Sequence, residues 1–214
     1  IAEELTDCEN TRTFNFKQPK AVFRENTMQY RLATYNDIPT LLQLHKTYHV
    51  ESIDENLKKD GFVTTQFTEE QMKALIDEQG VSIAVKDNEV LAYVMAASWT
   101  FWSQWPMFAY MIQHLDRKSY NGHQLSIENS YQYGPICIHE SLRGTDVLYR
   151  IFEFSRTTME PRFPVLITFI NKINGRSFKA HQKLGLEVIN EFEWNNNQYY
   201  ELAYPTEKPI QMPN

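Results

Sequence analysis

Asn174-Gly-Arg-Ser177-Phe-Lys-Ala-His181-Gln-Lys183-Leu-Gly185-Leu186 is the stretch on which the reading of this chain turns. Asparagine is a favoured helix N-cap, and a glycine after a charged last turn is a favoured helix stop. The segment therefore predicts a helix from Asn174 to Leu184, closed by Gly185. Asn174, Ser177 and His181 are spaced three and four apart, so they share one face of it. Just before lies Val165-Leu-Ile-Thr-Phe-Ile170, rich in β-branched residues and read as a strand. Further upstream, Ser141-Leu-Arg143-Gly144-Thr145-Asp146-Val147 reads as an Arg-Gly turn. It opens a helix over 144–159 whose apolar stripe is Val147, Leu148, Ile151 and Phe152.

The same rules extend outward. Gln29 to Ala33 reads as a short strand, and Asn36 or Asp37 caps a helix with Pro39 in its first turn. Thr68 and Gln71 form a capping box for a second helix that Gly80 ends. Val81–Lys86 and Val90–Ser98 flank Asp87-Asn88-Glu89 as a hairpin. Trp99–Tyr120 is aromatic and part helical, and Tyr131–Ile138 is the next strand. Leu186–Trp194 and Gln198–Tyr204 form a last hairpin about Asn195-Asn196-Asn197. Residues 1–27 lack periodicity and read as an N-terminal extension, either an arm or added sequence, with Met28 a plausible start. Residues 28–205 form one domain, and residues 206–214 are a C-terminal tail.

Composition narrows the class. At 214 residues, 42% hydrophobic and 22% charged, the chain suits one globular domain. No apolar run reaches the roughly 20 residues that span a bilayer. Ile1–Arg24 shows no cleavable signal pattern, and Cys8 and Cys137 make no disulfide framework. A cytoplasmic protein with no membrane partner is expected. The net charge of -6 argues against nucleic acid as a partner. Between His139 and Lys183, however, eight basic residues face four acidic ones, which suits an anionic ligand. Ordinary solvated helix faces account for that charge equally well. No metal-ligand spacing or Walker-type loop is present.

The element order, with both motifs in sequence, resembles the GNAT superfamily of GCN5-related N-acetyltransferases. The resemblance implies an α/β fold: a twisted mixed central sheet whose fourth and fifth strands splay, flanked by helices. Those strands would be Tyr131–Ile138 and Val165–Ile170, and Gly134-Pro135 near the middle of the former fits a bulge or splay, because proline cannot donate to a ladder. It also implies acetyl-CoA as cofactor, with an acetyl group moving to a primary amine by direct attack in a ternary complex. Arg143, Gly144, Thr145, Asp146 and Val147 would then cradle the pyrophosphate at a helix N-terminus. Ser141 and Asp146 depart from the family pattern. Asp146 either repels phosphate or turns away onto free amides of the first turn. Backbone N–H groups of Ile136, Cys137 or Ile138 would polarise the thioester carbonyl. Asn174, Ser177 and Lys183 would contact the cofactor, with Lys183 and Arg176 steering its adenosine end or facing solvent.

His181 stands where the family commonly has a tyrosine that protonates the departing thiolate. Either it takes that acid role or it packs. Glu128, His139 and Tyr133 lie near the strand where a base is needed; Glu128 and Tyr133 are carried as catalytic candidates with His181. Cys137, in an apolar strand, reads as a buried inert thiol. For the acceptor, the resemblance points to Glu51–Phe67 and Trp99–Asn129. Glu51 would attract an amine, and Trp99, Trp102 and Trp105 would wall a bulky or cationic acceptor. The same tryptophans would equally serve a core or a homodimer contact. The expected partner is a small-molecule amine. The alternatives are an acyl-CoA-binding regulatory module without turnover, or an acetyltransferase for protein lysines or N-termini.

Overall fold

The computed structural model describes residues 27–54 and 62–213. The expected extension, Thr27 apart, and the middle of the Glu51–Phe67 loop lie outside the described residues. The described chain runs β1 (Gln29–Leu32), α1 (Ile38–Thr47), α2 (Glu69–Asp77), β2 (Val81–Lys86), β3 (Glu89–Ser98), α3 (Trp99–Trp102) and α4 (Pro106–Ile112). It continues with β4 (Ser119–Tyr120), β5 (His123–Gln124), β6 (Ser130–Ile138), α5 (Val147–Met159), β7 (Val165–Asn171), α6 (Gly175–Leu184), β8 (Glu187–Trp194) and β9 (Asn197–Pro205). Seven strands form one mixed sheet in the order β1-β2-β3-β6-β7-β9-β8, and β4 and β5 pair separately.

Local chemistry sets the element ends. Thr68 and Gln71 make the reciprocal capping box of α2 at 3.2 and 2.9 Å. Asn174 caps α6 by accepting the Ser177 N–H at 3.1 Å. Gly185 closes α6 at φ +95°, and the Leu186 N–H returns to the His181 carbonyl at 3.1 Å. The hairpin turns carry paired positive φ angles at Asp87-Asn88, Asn121-Gly122 and Asn195-Asn196. That geometry matches strand twist and favours Asn, Asp and Gly. The short β4–β5 hairpin was not expected from the sequence, although Asn121-Gly122 is its turn signal.

Strand alternation divides the core into two layers. Tyr93, Met95 and Ala97 face α1–α4 and meet Leu41, Met72, Leu75 and Trp102. Ala92, Val94 and Ala96 face the opposite side and meet Val147, Ile151 and Phe152 of α5. The small residues let α5 lie close to β3. The stretch expected as a C-terminal tail is fastened to α5. Ile210 is buried, its N–H reaches Glu153 Oε2 at 3.2 Å, and the Thr206 N–H reaches the Pro164 carbonyl at 2.8 Å. Arg156 is the anchor. Its buried guanidinium pairs with Glu153 at 2.8 Å and Glu160 at 3.0 Å and donates to the Thr206 carbonyl.

Removing one partner of a buried, hydrogen-bonded charge network leaves the others unpaired, at a cost of about 3 kcal/mol. Arg156→Ala is expected to lower Tm by roughly 6–12 °C in a domain of this size. Limited proteolysis of the variant should cut first after residue 205, which the wild type resists.

Candidate active site

The site begins where two strands part. β6 and β7 run parallel but pair only at Ser130–Val165, Tyr131–Leu166 and Gln132–Ile167. Against β3, Val94 lies opposite Ile136 and Ala96 opposite Tyr133, so β6 carries one extra residue at Gly134-Pro135. Such a bulge bends its strand. Gly134 sits at φ +105°, open to glycine and costly to other residues, and Pro135 has no N–H for a ladder. The strands therefore separate beyond Gln132, as the sequence predicts.

The separation exposes one edge of β6. The His139 N–H bonds the Leu91 carbonyl of the β3 side at 2.8 Å. Antiparallel alternation then turns Cys137, opposite Tyr93, toward β3 as well. Ile136 and Ile138 point their N–H and C=O groups into the gap. Of the three expected amide donors, Cys137 is thus corrected: its N–H belongs to the ladder. Its thiol is buried against Tyr93, and burial pushes its pKa up to about 12, which suits an unreactive thiol.

At the far end of the gap, Arg143, Gly144 and Thr145 lead into α5. Gly144 adopts φ +81°, and a Cβ built there meets no atom within 4 Å. The turn thus borders open space at a helix N-terminus whose first amides have no intrahelical acceptor. Val147 is buried in the core, and the Thr145 hydroxyl, which donates to the Leu142 carbonyl at 2.7 Å, accepts the Val147 N–H at 3.4 Å. Asp146 does not cap these amides; its carboxylate pairs with Arg150 at 2.5 Å. It turns away, as one of the two readings required, but onto arginine and not onto the backbone. Arg143 lies over the Tyr48 ring at 5.1 Å and reaches the Ile138 carbonyl at 3.5 Å.

A cleft occupies the gap, with about 680 Å³ of empty space including its open mouth. It passes between the two layers. Asn174, Ser177 and His181 line it from α6, and Phe62–Thr65, Phe108 and Tyr199 line it from the other side. His181 is almost fully buried, and its Nδ1 lies 2.8 Å from the Ser177 carbonyl. A carbonyl only accepts, so Nδ1 carries the hydrogen and Nε2 presents a lone pair. Burial holds this imidazole below its ordinary range. It is therefore neutral near pH 7 and takes a proton before it can give one. Tyr133 packs edge-on to His181 at 5.8 Å, and its buried hydroxyl has no acceptor among the described residues. Burial raises its pKa well above the phenol value, so it acts as a donor and not a base.

Other expected residues lie elsewhere. Glu128 is exposed ahead of β6, where its N–H bonds the Ser126 hydroxyl, and it does not line the cleft. Lys183 is exposed and also away from the cleft. Glu51 is 73% exposed and accepts from Gln66 Nε2 at 3.0 Å. Trp99 and Trp102 are fully buried, and Trp105 packs against Trp102. The Trp99 indole donates to the Ser130 hydroxyl at 2.9 Å. The tryptophans are corrected from acceptor wall to core. The chain after β3 turns inward at α3, so those side chains fill the layer under α1 and α2. Phe108, one helix later, is the aromatic of this insert that reaches the cleft.

Gln132 was missed. It is buried, its Nε2 donates to the Tyr133 carbonyl at 2.7 Å, and its Oε1 has no donor among the described residues. A glutamine between two tyrosines in an otherwise apolar strand was the available signal. Also missed was the clamp on the cleft wall. The His45 Nε2–H donates to the Thr65 carbonyl at 2.5 Å, and its Nδ1 accepts from the Tyr93 hydroxyl at 2.6 Å. One turn on, the His49 Nε2–H donates to the Thr64 carbonyl at 3.0 Å.

No family model matches this chain, and no curated protein matches it. Solved structures do. An acetyltransferase of the GNAT family from Streptococcus pneumoniae superposes with a TM-score of 0.56 at 12% identity, over 84% of this chain and 99% of its own. The putative acetyltransferase yncA from Salmonella typhimurium, solved with acetyl-CoA, gives 0.55 at 14% identity over 86% and 98%. A ribosomal-protein-alanine N-acetyltransferase from Brucella melitensis gives 0.54 at 14% identity over 83% and 99%. The chain has the GNAT acetyltransferase fold. Among the described residues, no helix is long and apolar enough to cross a membrane, and no cluster of His, Cys, Asp and Glu could hold a metal ion.

The clamp makes a pH prediction. Burial lowers the His45 pKa to about 4 from 6.5. Between those values the unfolded chain binds the extra proton, so stability is full above pH 6.5 and falls as pH drops toward 4. The loss is at most about 3 kcal/mol. Tm measured from pH 7.5 to 4.5 should fall more steeply for the wild type than for His45→Gln.

Proposed function

We propose that this protein is an acetyl-CoA-dependent N-acyltransferase of the GNAT superfamily that acetylates the amine of a small molecule. The observation that carries the proposal is the gap between β6 and β7, with a cleft at its apex lined from α6 and from the opposite layer, and an open glycine turn at a helix N-terminus beyond the end of β6. The residues fit the cofactor. Gly144 leaves open space beside the first amides of α5, where a pyrophosphate would sit. The N–H and C=O groups of Ile136 and Ile138 suit the amides of a pantetheine arm, held as an added strand. Asn174 and Ser177 line the same route from α6. When bound, acetyl-CoA supplies an activated thioester carbonyl.

Among the described residues that line the cleft, His181 is the one imidazole, and its Nε2 presents a lone pair. We assign it as proton carrier. As the acceptor nitrogen bonds the acetyl carbon and the carbon–sulfur bond breaks, His181 Nε2 takes the nitrogen's proton. The imidazolium then returns it to the departing thiolate, leaving amide and free CoA. The acid role considered from the sequence is thus the second half of a shuttle. The Ser177 carbonyl stabilises the intermediate imidazolium through Nδ1–H. Tyr133 brings a free hydroxyl donor to the same space. The neighbours' acetyl-CoA and the cleft's passage through both layers support this reading over a binding module without turnover. Asp146, which could have repelled phosphate, is paired with Arg150.

Saturating acetyl-CoA, at a hundred times its Kd, should raise Tm by about 5–10 °C. Gly144→Val, which forces a side chain into a positive-φ turn and fills the open space, should abolish the rise. His181→Ala should keep the rise and lower kcat by about 100-fold or more. In the wild type, kcat/KM should hold through the ordinary imidazole range and fall only at lower pH, where the buried Nε2 becomes protonated. An unshifted Tm rejects the cofactor assignment, and unchanged kcat in His181→Ala rejects the shuttle.

A further inference from the structure

The acceptor half of the cleft has an unusual balance of groups. Phe62, Phe108, Phe169 and Tyr199 line it, with Gln132 and Thr168 between them. Phe169 meets Phe108 edge-to-face at 5.5 Å and Tyr199 at 5.7 Å, which forms a continuous aromatic surface. Among the described residues lining the cleft there is no aspartate, glutamate, lysine or arginine. Three carboxylates of the described residues on the neighbouring elements are engaged elsewhere: Glu51 with Gln66, Glu201 with Lys118 and Glu191 with Lys172.

One polar atom stands out on this surface. The Nε2 of Gln132 is committed to the Tyr133 carbonyl, so its orientation is fixed and Oε1 is the bare atom. A buried acceptor with no donor is costly, and a ligand N–H satisfies it. Gln132 is the last residue of β6 paired to β7, at the apex of the gap, and it precedes the bulge. Its amide is neutral and does not titrate, so it receives an N–H without offering a countercharge.

An ammonium ion entering this surface would shed its water with no carboxylate among the described lining residues to replace it. An alkylamine, ammonium at neutral pH, therefore meets a barrier here. An amine attached to an aromatic ring is weakly basic and arrives uncharged. Its ring suits the Phe and Tyr surface, and its N–H suits Gln132 Oε1. We infer that the acceptor is an aromatic amine, held by the Phe62–Phe108–Phe169–Tyr199 surface and positioned by Gln132 Oε1. This deepens the proposed function and rests on it. The nucleophile's proton is lost only once attack has begun, and His181 receives it.

The test is CoA release from acetyl-CoA at pH 7.5 with a matched pair: an aniline bearing a small para substituent, and 2-phenylethylamine. The expected result is a kcat/KM at least 100-fold higher for the aniline. Gln132→Leu should raise its KM about tenfold while leaving the acetyl-CoA-induced Tm rise unchanged. Gln132→Glu should narrow or invert the preference, because a carboxylate supplies the countercharge that 2-phenylethylamine lacks. Equal or better turnover of 2-phenylethylamine by the wild type overturns the inference but leaves the acetyltransferase reading intact. Release with neither amine also overturns it, and the Tm rise then shows whether the cofactor reading survives. A Gln132→Leu enzyme with unchanged KM removes Gln132 from the assignment.

Discussion

The parting of β6 from β7 is the constraint from which the rest of this structure follows. Two parallel strands that pair over three residues and then diverge leave backbone groups without partners, which a folded chain ordinarily avoids. The exception is tolerated because one residue pair enforces it. Gly134 takes a conformation open to glycine, and Pro135 has no N–H to contribute. The bulge keeps β6 locked to β3 on one side while bending it away from β7 on the other. Ile136 and Ile138 become a built-in strand edge without ladder partners, where only the Arg143 side chain reaches the Ile138 carbonyl among the described residues.

Everything chemical in the site is positioned by elements on the two rims of that gap. α5 begins where β6 ends, so its free amides lie at the gap's outer end. α6 begins where β7 ends, and Asn174 sets its start so that Ser177 and His181 face inward. The Ser177 carbonyl then fixes the histidine tautomer. On the opposite rim, His45 of α1 holds the Thr65 carbonyl and His49, just beyond that helix, holds the Thr64 carbonyl. The wall so held carries no charged side chain into the cleft among the described residues. The site is thus polar at its backbone edges, titratable at one imidazole and aromatic where an acceptor would enter.

Much of this was legible in the sequence, and the limits have physical causes. Helix caps and turns act over three or four residues, so Asn174, Gly185, the Thr68–Gln71 box and the hairpin asparagines could be read directly. The Gly134-Pro135 pair announced the bulge because both residues have strong backbone preferences. Side-chain direction was harder. The tryptophans after β3 sit at the spacing of either a wall or a core, and only the inward turn of α3 decides between them. Glu128 and Glu51 were nominated by proximity along the chain, which does not specify which way a loop side chain points. Cys137 needed the ladder's alternation to be placed. The His45–Tyr93 pair depends on a contact between residues far apart in sequence, for which local pattern offers no handle.

Amide hydrogen exchange at Ile136 and Ile138, with and without acetyl-CoA, tests the central claim most directly. Those amides face the gap, whereas Cys137 is already bonded to β3. The account predicts that acetyl-CoA slows exchange at Ile136 and Ile138 and at the first turn of α5, with Cys137 little changed. Protection that appears elsewhere, or no protection along β6, would contradict the assignment of this edge as the cofactor's path.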